Sequence, residues 1–271
     1  MFRKVLAITV FLLGSSLTGT SQEWLIASSE SFLKANSKEV KTSGEEILLI
    51  DLFKAVDPAL SVDLASWEAL QNELDIKASK SSDQLQLLRQ IFQKSHQRLF
   101  KKYEQHSSFN EMLTNGNFDC VSGSASLGML LERYGFEYEI IETDYHVFIL
   151  TEIEGKKIIL ESTLPVGGMI TAPSEVEKYL NSYRPNQSES AKVFNQRLGA
   201  TSPIQLDNSI FRKVSLQELA GLQFYNDAIV HFNAQKYDQA ITQLKKAYLL
   251  YPSERILGLM ELSKELASSL R

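Results

Sequence analysis

A single cysteine stands among 271 residues, so no disulfide can form within the chain. The formal net charge is −5 and no long basic run occurs, which leaves a nucleic-acid role without compositional support. The Gly-x-x-x-x-Gly-Lys phosphate loop is absent. His96 and His106 have no ligand-type residues clustered around them. Cys120 and His146 together offer two ligands where zinc uses three or four. Neither a metal nor a cofactor is therefore expected. After the first residues, no stretch is apolar for long enough to span a bilayer.

What is present is ordinary globular material, 44% hydrophobic and 23% charged, enough for one large domain or two small ones. The start reads as an export signal over residues 1–21. Arg3 and Lys4 are basic, Val5 to Leu13 is apolar, and Gly19 and Ser21 occupy the −3 and −1 positions before Gln22. An uncleaved anchor is the competing reading. Cleavage would leave a soluble periplasmic or secreted protein with no membrane contact.

Residues 22–80 read as a helical lead-in, with two helical pieces between 45 and 74 separated by Pro58. This segment could also cover a site as a pro-segment. A core follows over 81–180. Its clearest helix is expected from Ser81 to Tyr103, with a capping-box-like start at Ser81-Ser82-Asp83-Gln84. A loop is expected over His106 to Asn117. A second helix opens at Cys120 and stops at Gly135. Beyond Phe136 the pattern becomes alternating and β-rich, with a turn at Glu154-Gly155. Helices followed by an antiparallel meander make an α+β fold. Residues 181–214 read as a linker and 215–271 as helices.

Cys120 is placed where a loop becomes a helix. A helix N-terminus carries unpaired N–H groups and partial positive charge, which favour thiolate over thiol. A hairpin turning at Glu154-Gly155 would set Val147 across from Ser162 and His146 across from Thr163. Glu161 then becomes a diagonal neighbour of His146 on the same face. Cysteine, histidine and carboxylate in that relation form a triad: the acid orients the imidazole, and the imidazole takes the thiol proton. Taken singly, each has a plainer reading, as a buried small hydrophobe, a satisfied histidine and a solvated strand-end charge. The Cys120 N–H is a natural oxyanion donor. Asn117, with Asn115, and Tyr145, with Asp144, are further substrate-binding candidates, although the asparagines also suit turns. Asp119, beside the thiol, would stabilise the helix while its charge opposes a thiolate. Gly167-Gly168 could be a lid or a turn.

Three segments resemble the transglutaminase-like superfamily, which shares its catalytic arrangement with papain-type cysteine proteases. They are Asp119-Cys120-Val-Ser-Gly-Ser-Ala-Ser-Leu-Gly-Met-Leu-Leu-Glu-Arg-Tyr-Gly, Tyr145-His146-Val-Phe-Ile-Leu and Ile158-Ile-Leu-Glu161-Ser-Thr163. The resemblance covers roughly residues 80–170. It implies a Cys-bearing helix packed on an antiparallel sheet and assigns Cys120, His146 and Glu161 to the catalytic positions. The chain has Glu where the family usually has Asp, and Val147 and Phe148 where a Trp usually follows the histidine. Leu222 to Pro252 resembles one tetratricopeptide repeat, with small residues at Ala228, Ala240 and Ala247, and a further helix follows.

Two functions stay open. One is an exported cysteine enzyme acting on amide bonds of a peptide or protein substrate, by hydrolysis or acyl transfer, without a cofactor. The other is an inactive scaffold whose C-terminal helices bind a protein partner, or simply dock on the core.

Overall fold

A computed structural model of the chain describes residues 43–80, 82–184 and 210–269. The expected signal peptide and the first part of the lead-in lie outside these residues, as does most of the expected linker. Mixed helix and sheet, with the sheet antiparallel throughout, agrees with an α+β fold.

Two helices, α1 (Ser43–Lys54) and α2 (Ala65–Ala78), precede α3 (Gln84–Arg98). Strand β1 (Lys102–Tyr103) pairs in parallel with β2 (Asn117–Phe118), and the short helix α4 (Phe109–Asn115) lies between them. Next comes α5 (Cys120–Arg133), then the meander β3 (Tyr138–Thr143), β4 (Val147–Ile153) and β5 (Lys156–Leu160). Strand β6 (Met169–Ile170) borders β5, and α6 (Pro173–Tyr183) follows. After the undescribed stretch, β7 (Phe211–Val214) joins the far edge of the sheet against β3. Helices α7 (Leu216–Asn233), α8 (Tyr237–Leu250) and α9 (Glu254–Ser269) end the described chain. The sheet order is β6-β5-β4-β3-β7.

The sheet separates two apolar layers. Val147, Ile149, Ile158 and Leu160 belong to the main core with α5, while Phe148 and Ile159 meet Val176, Tyr179, Leu180 and Tyr183 of α6. Every residue of α5 from Cys120 to Leu131 is buried. Its first two turns are built of small side chains, so backbone can approach backbone. A Cβ added at Gly123 would come within 2.7 Å of Ser162 Oγ and 2.8 Å of Ser162 Cβ. The serines in this buried helix are satisfied locally: Ser126 Oγ donates to the Ser122 carbonyl at 2.9 Å, and Ser122 Oγ accepts from the Asp119 amide at 2.9 Å.

Five expectations change. The helix expected from Ser81 to Tyr103 starts at Gln84 with Asp83 as its cap, accepting from the Gln86 amide, and stops at Arg98. Pairing with β2 draws Lys102 and Tyr103 out of helical register. The expected loop before Cys120 contains α4, held by a capping box between Ser108 and Glu111. The helix α6 extends from the expected core into the expected linker, and β7 occupies that linker's end as a strand of the sheet. Residues 43–78 are core rather than cover: Trp67, Phe53 and Phe109 pack ring against ring, and no cleft-lining residue near Cys120 comes from this described part of the lead-in.

The C-terminal helices share that core. Gln223, almost wholly buried on α7, donates to the Phe53 carbonyl at 2.8 Å and accepts from the Phe109 amide at 2.9 Å. Ala228, Ala240 and Ala247 are fully buried. Gly123→Ala has no space to relax into, because Ser162 is itself buried. It is expected to cost about 1–3 kcal/mol of stability, the usual penalty for overpacking. A denaturation midpoint equal to wild type would show that α5 does not need this approach.

Candidate active site

The hairpin between β4 and β5 turns on Glu154 and Gly155, both at positive φ (50° and 75°), as a two-residue turn of the hairpin-favouring kind requires. It sets Ile149 opposite Leu160 and Ile153 opposite Lys156. Continuing that register places Glu161 one diagonal step from His146. The two side chains meet, with His146 Nε2 2.5 Å from Glu161 Oε2.

Each partner is held from a second direction. His146 begins where β3 returns into β4. Its backbone amide donates to Thr143 Oγ1 at 3.1 Å, and its carbonyl accepts from the Thr143 amide at 2.8 Å. Its ring stacks on Tyr183, with centroids 5.8 Å apart. Glu161 Oε1 accepts from the Thr163 amide at 2.9 Å and from Thr163 Oγ1 at 2.6 Å, and Glu161 Oε2 also accepts from the Tyr179 hydroxyl. The Gly167-Gly168 segment is a turn that closes behind the acid. The Glu161 amide donates to the Gly168 carbonyl at 2.8 Å, and a Cβ on Gly168 would stand 2.5 Å from the Glu161 carbonyl oxygen.

Cys120 is the first residue of α5, and its side chain stands beside His146, whose pKa it helps to raise. Because Nε2 is engaged by Glu161, Nδ1 is the ring nitrogen left free of the acid. Asp119 caps the helix, accepting from the Ser122 amide at 2.8 Å, from the Val121 amide and from Asn226 Nδ2 at 3.2 Å. The structure thus brings Cys120, His146 and Glu161 together. Exposure falls along the triad, from 9% at Cys120 and 7% at His146 to 0% at Glu161. The thiol and the imidazole line a cleft of about 400 Å³, whereas the acid is sealed behind them.

Burial alone would disfavour both charges of the pair, but the charges favour each other. Against the burial that lowers it, Glu161, with Tyr183 and Cys120, holds His146 well above the ordinary histidine value. Burial opposes the Glu161 carboxylate too, yet His146, Thr163 and Tyr179 hold its carboxyl below the usual range. Burial pushes the Asp119 carboxyl up to about 6 against the hydrogen bonds it accepts.

The other candidates separate. Tyr145, 71% exposed, and Asp144 line the cleft. Asn117 does not reach it: its amide donates to Glu104 Oε2 at 3.0 Å. Asn115 accepts from the Asn117 amide at 2.8 Å, the turn role its residue type allows. His96 is enclosed by Phe92, Phe100 and Phe118, and burial lowers its pKa to about 4. Sequence reasoning missed Tyr179, Tyr183 and Asn226. The two tyrosines had a signal, since Val176, Tyr179, Leu180 and Tyr183 recur at helical spacing after Pro173. Asn226 had none, because its contact with Asp119 is purely tertiary.

Comparison with protein-family models and with curated proteins returns no match.

The paired shifts set a pH window for stability. The raised His146 contributes fully below its ordinary 6.5, and that contribution is lost as pH climbs through the raised folded value. The lowered Glu161 contributes fully above its ordinary 4.5, and that contribution is lost as pH falls through the lowered value. Glu161→Gln is expected to cost roughly 3–5 kcal/mol, as removing one member of a buried pair does. The cost should be largest between pH 4.5 and 6.5 and shrink on either side. Urea unfolding of both proteins across pH measures it, and a pH-independent difference would rule the pair out as its source.

Proposed function

We propose that this protein is an exported cysteine enzyme of transglutaminase-like type that acts on carboxamide bonds of a peptide or protein. The observation that carries the reading is the position of His146. It stands beside the Cys120 thiol and is hydrogen-bonded to a fully buried carboxylate, with thiol and imidazole lining an open cleft.

The steps follow from the groups present. With its proton already held by the protonated His146, the Cys120 sulfur attacks the amide carbon. The oxyanion is received by the Cys120 N–H at the start of α5. The carbon–nitrogen bond breaks as His146 gives its proton to the departing amine, leaving a thioester on Cys120. Water then loses a proton to His146 and attacks that carbon. The carbon–sulfur bond breaks, and the acid product leaves with the thiol regenerated. An amine in place of water would give acyl transfer. Glu161 keeps the imidazole in one orientation throughout and stabilises its protonated form.

A partner-binding scaffold is the second reading. It draws on apolar residues left exposed on the C-terminal helices, among them Val230, Tyr248 and Leu262. The two readings part at the thiol. The enzyme reading expects iodoacetamide to label Cys120 in the native protein at neutral pH. Release of amine from fluorogenic peptide amides should vanish in Cys120→Ala and fall by about 10²–10⁴ in His146→Ala, the range for a lost general base. A native thiol that resists iodoacetamide, or turnover that survives Cys120→Ala, would sink it.

A further inference from the structure

The residues that resemble the superfamily supply the thiol, imidazole and acid, but they do not enclose the cleft alone. Helix α7 forms a wall of it. Leu222, Tyr225, Asn226 and Ile229 recur at three- and four-residue spacing on one face of that helix and all line the cleft. The wall is fixed relative to the thiol. Asn226 holds the capping carboxylate of Asp119, the residue immediately before Cys120, and buried Gln223 ties the same helix to α1 and α4.

The chemistry of this wall is apolar. Leu222 and Ile229 face the cleft together with Val121, Val147 and Ile210. The carboxylates lining the cleft are engaged within the protein. Glu142 is bound by Arg212 at 3.0 Å, by Arg255 and by the Tyr251 hydroxyl; Asp144 accepts from the Ile210 amide at 3.3 Å; Asp119 is held as described. Arg255 lies over the Tyr225 ring, 5.2 Å from its centroid, so its face is covered as well. A charged substrate side chain would lose water here and meet carboxylates already paired.

We infer that α7 is the specificity wall of the site and selects substrates with an aliphatic or aromatic side chain beside the carboxamide that Cys120 attacks. This rests on the proposed thiol chemistry and assigns to the C-terminal helices a part in the site itself, apart from any partner they hold.

The test uses the full chain and four peptidyl vinyl sulfones that differ at one side chain: leucine, phenylalanine, aspartate or lysine. Each Cys120 labelling rate is divided by the rate with iodoacetamide, which is too small to need the wall. The two apolar probes should react at least about ten-fold faster than the two charged ones, the scale of discrimination by a hydrophobic pocket. In Ile229→Lys, and to a lesser degree in Ile229→Ser, the leucine-to-aspartate ratio should fall towards one. Equal rates for the four probes in wild-type protein, with iodoacetamide labelling intact, overturn the wall and leave the thiol chemistry standing. A ratio that Ile229→Lys leaves unmoved also overturns it. Failure of iodoacetamide to label Cys120 overturns both.

Discussion

A carboxylate with no exposure to water must be neutralised and hydrogen-bonded where it stands, and Glu161 organises its surroundings on that condition. Its oxygens take His146 from the start of β4, Thr163 from the turn after β5 and Tyr179 from α6. An unpaired charge there would cost several kcal/mol, so these segments cannot move independently. The same constraint gives the histidine its orientation. Nε2 is committed to the acid and the ring is stacked on Tyr183. The longer reach of Glu compared with Asp suits this arrangement, because one oxygen turns back to Thr163 while the other meets the imidazole.

The thiol reaches that pair because α5 can be buried whole. A helix with large side chains in its first turns would stand away from the strand end, and Gly123 against Ser162 marks how close the approach is. Asp119 serves the same end. Its capping bonds fix where the helix begins, and burial pushes its carboxyl up to about 6. The oxygen of Asp119 that Asn226 reaches connects the helix start to α7, so the C-terminal helices bear on the nucleophile directly.

The local grammar of the hairpin made much of the site legible in advance. Two turn residues at Glu154-Gly155 and strict alternation on either side leave one register, and that register brings His146 and Glu161 together. Composition likewise marked α5, since a run of Cys, Ser, Gly and Ala suits a helix surrounded on every side. What escaped was set by tertiary contact. Strand β7 is four residues long and gains its place only by pairing with β3. Tyr103 leaves the expected helix because β2 is there to pair with it. Helix α4 is the exception, because the Ser108–Glu111 capping box was readable within the expected loop and outweighs the turn-like Asn115-Gly116-Asn117 that ends it.

A second buried carboxylate shows why the C-terminal helices are better regarded as part of the site than as an appendage. Glu142 lies on β3 one residue before Thr143, which holds both backbone groups of His146. It is bound by Arg212 of β7, Tyr251 after α8 and Arg255 of α9. Removal of the helices would leave that carboxylate with one of its three partners, beside the turn that positions the imidazole. Burial of the acid therefore links the C-terminal part of the described chain to the histidine by the same electrostatic condition that Glu161 imposes at the centre. The C-terminal helices line the cleft, hold the cap of the Cys120 helix through Asn226 and anchor the histidine's turn through Glu142. These three contacts reach the thiol and the imidazole through different elements, so the geometry of the pair depends on the whole described fold.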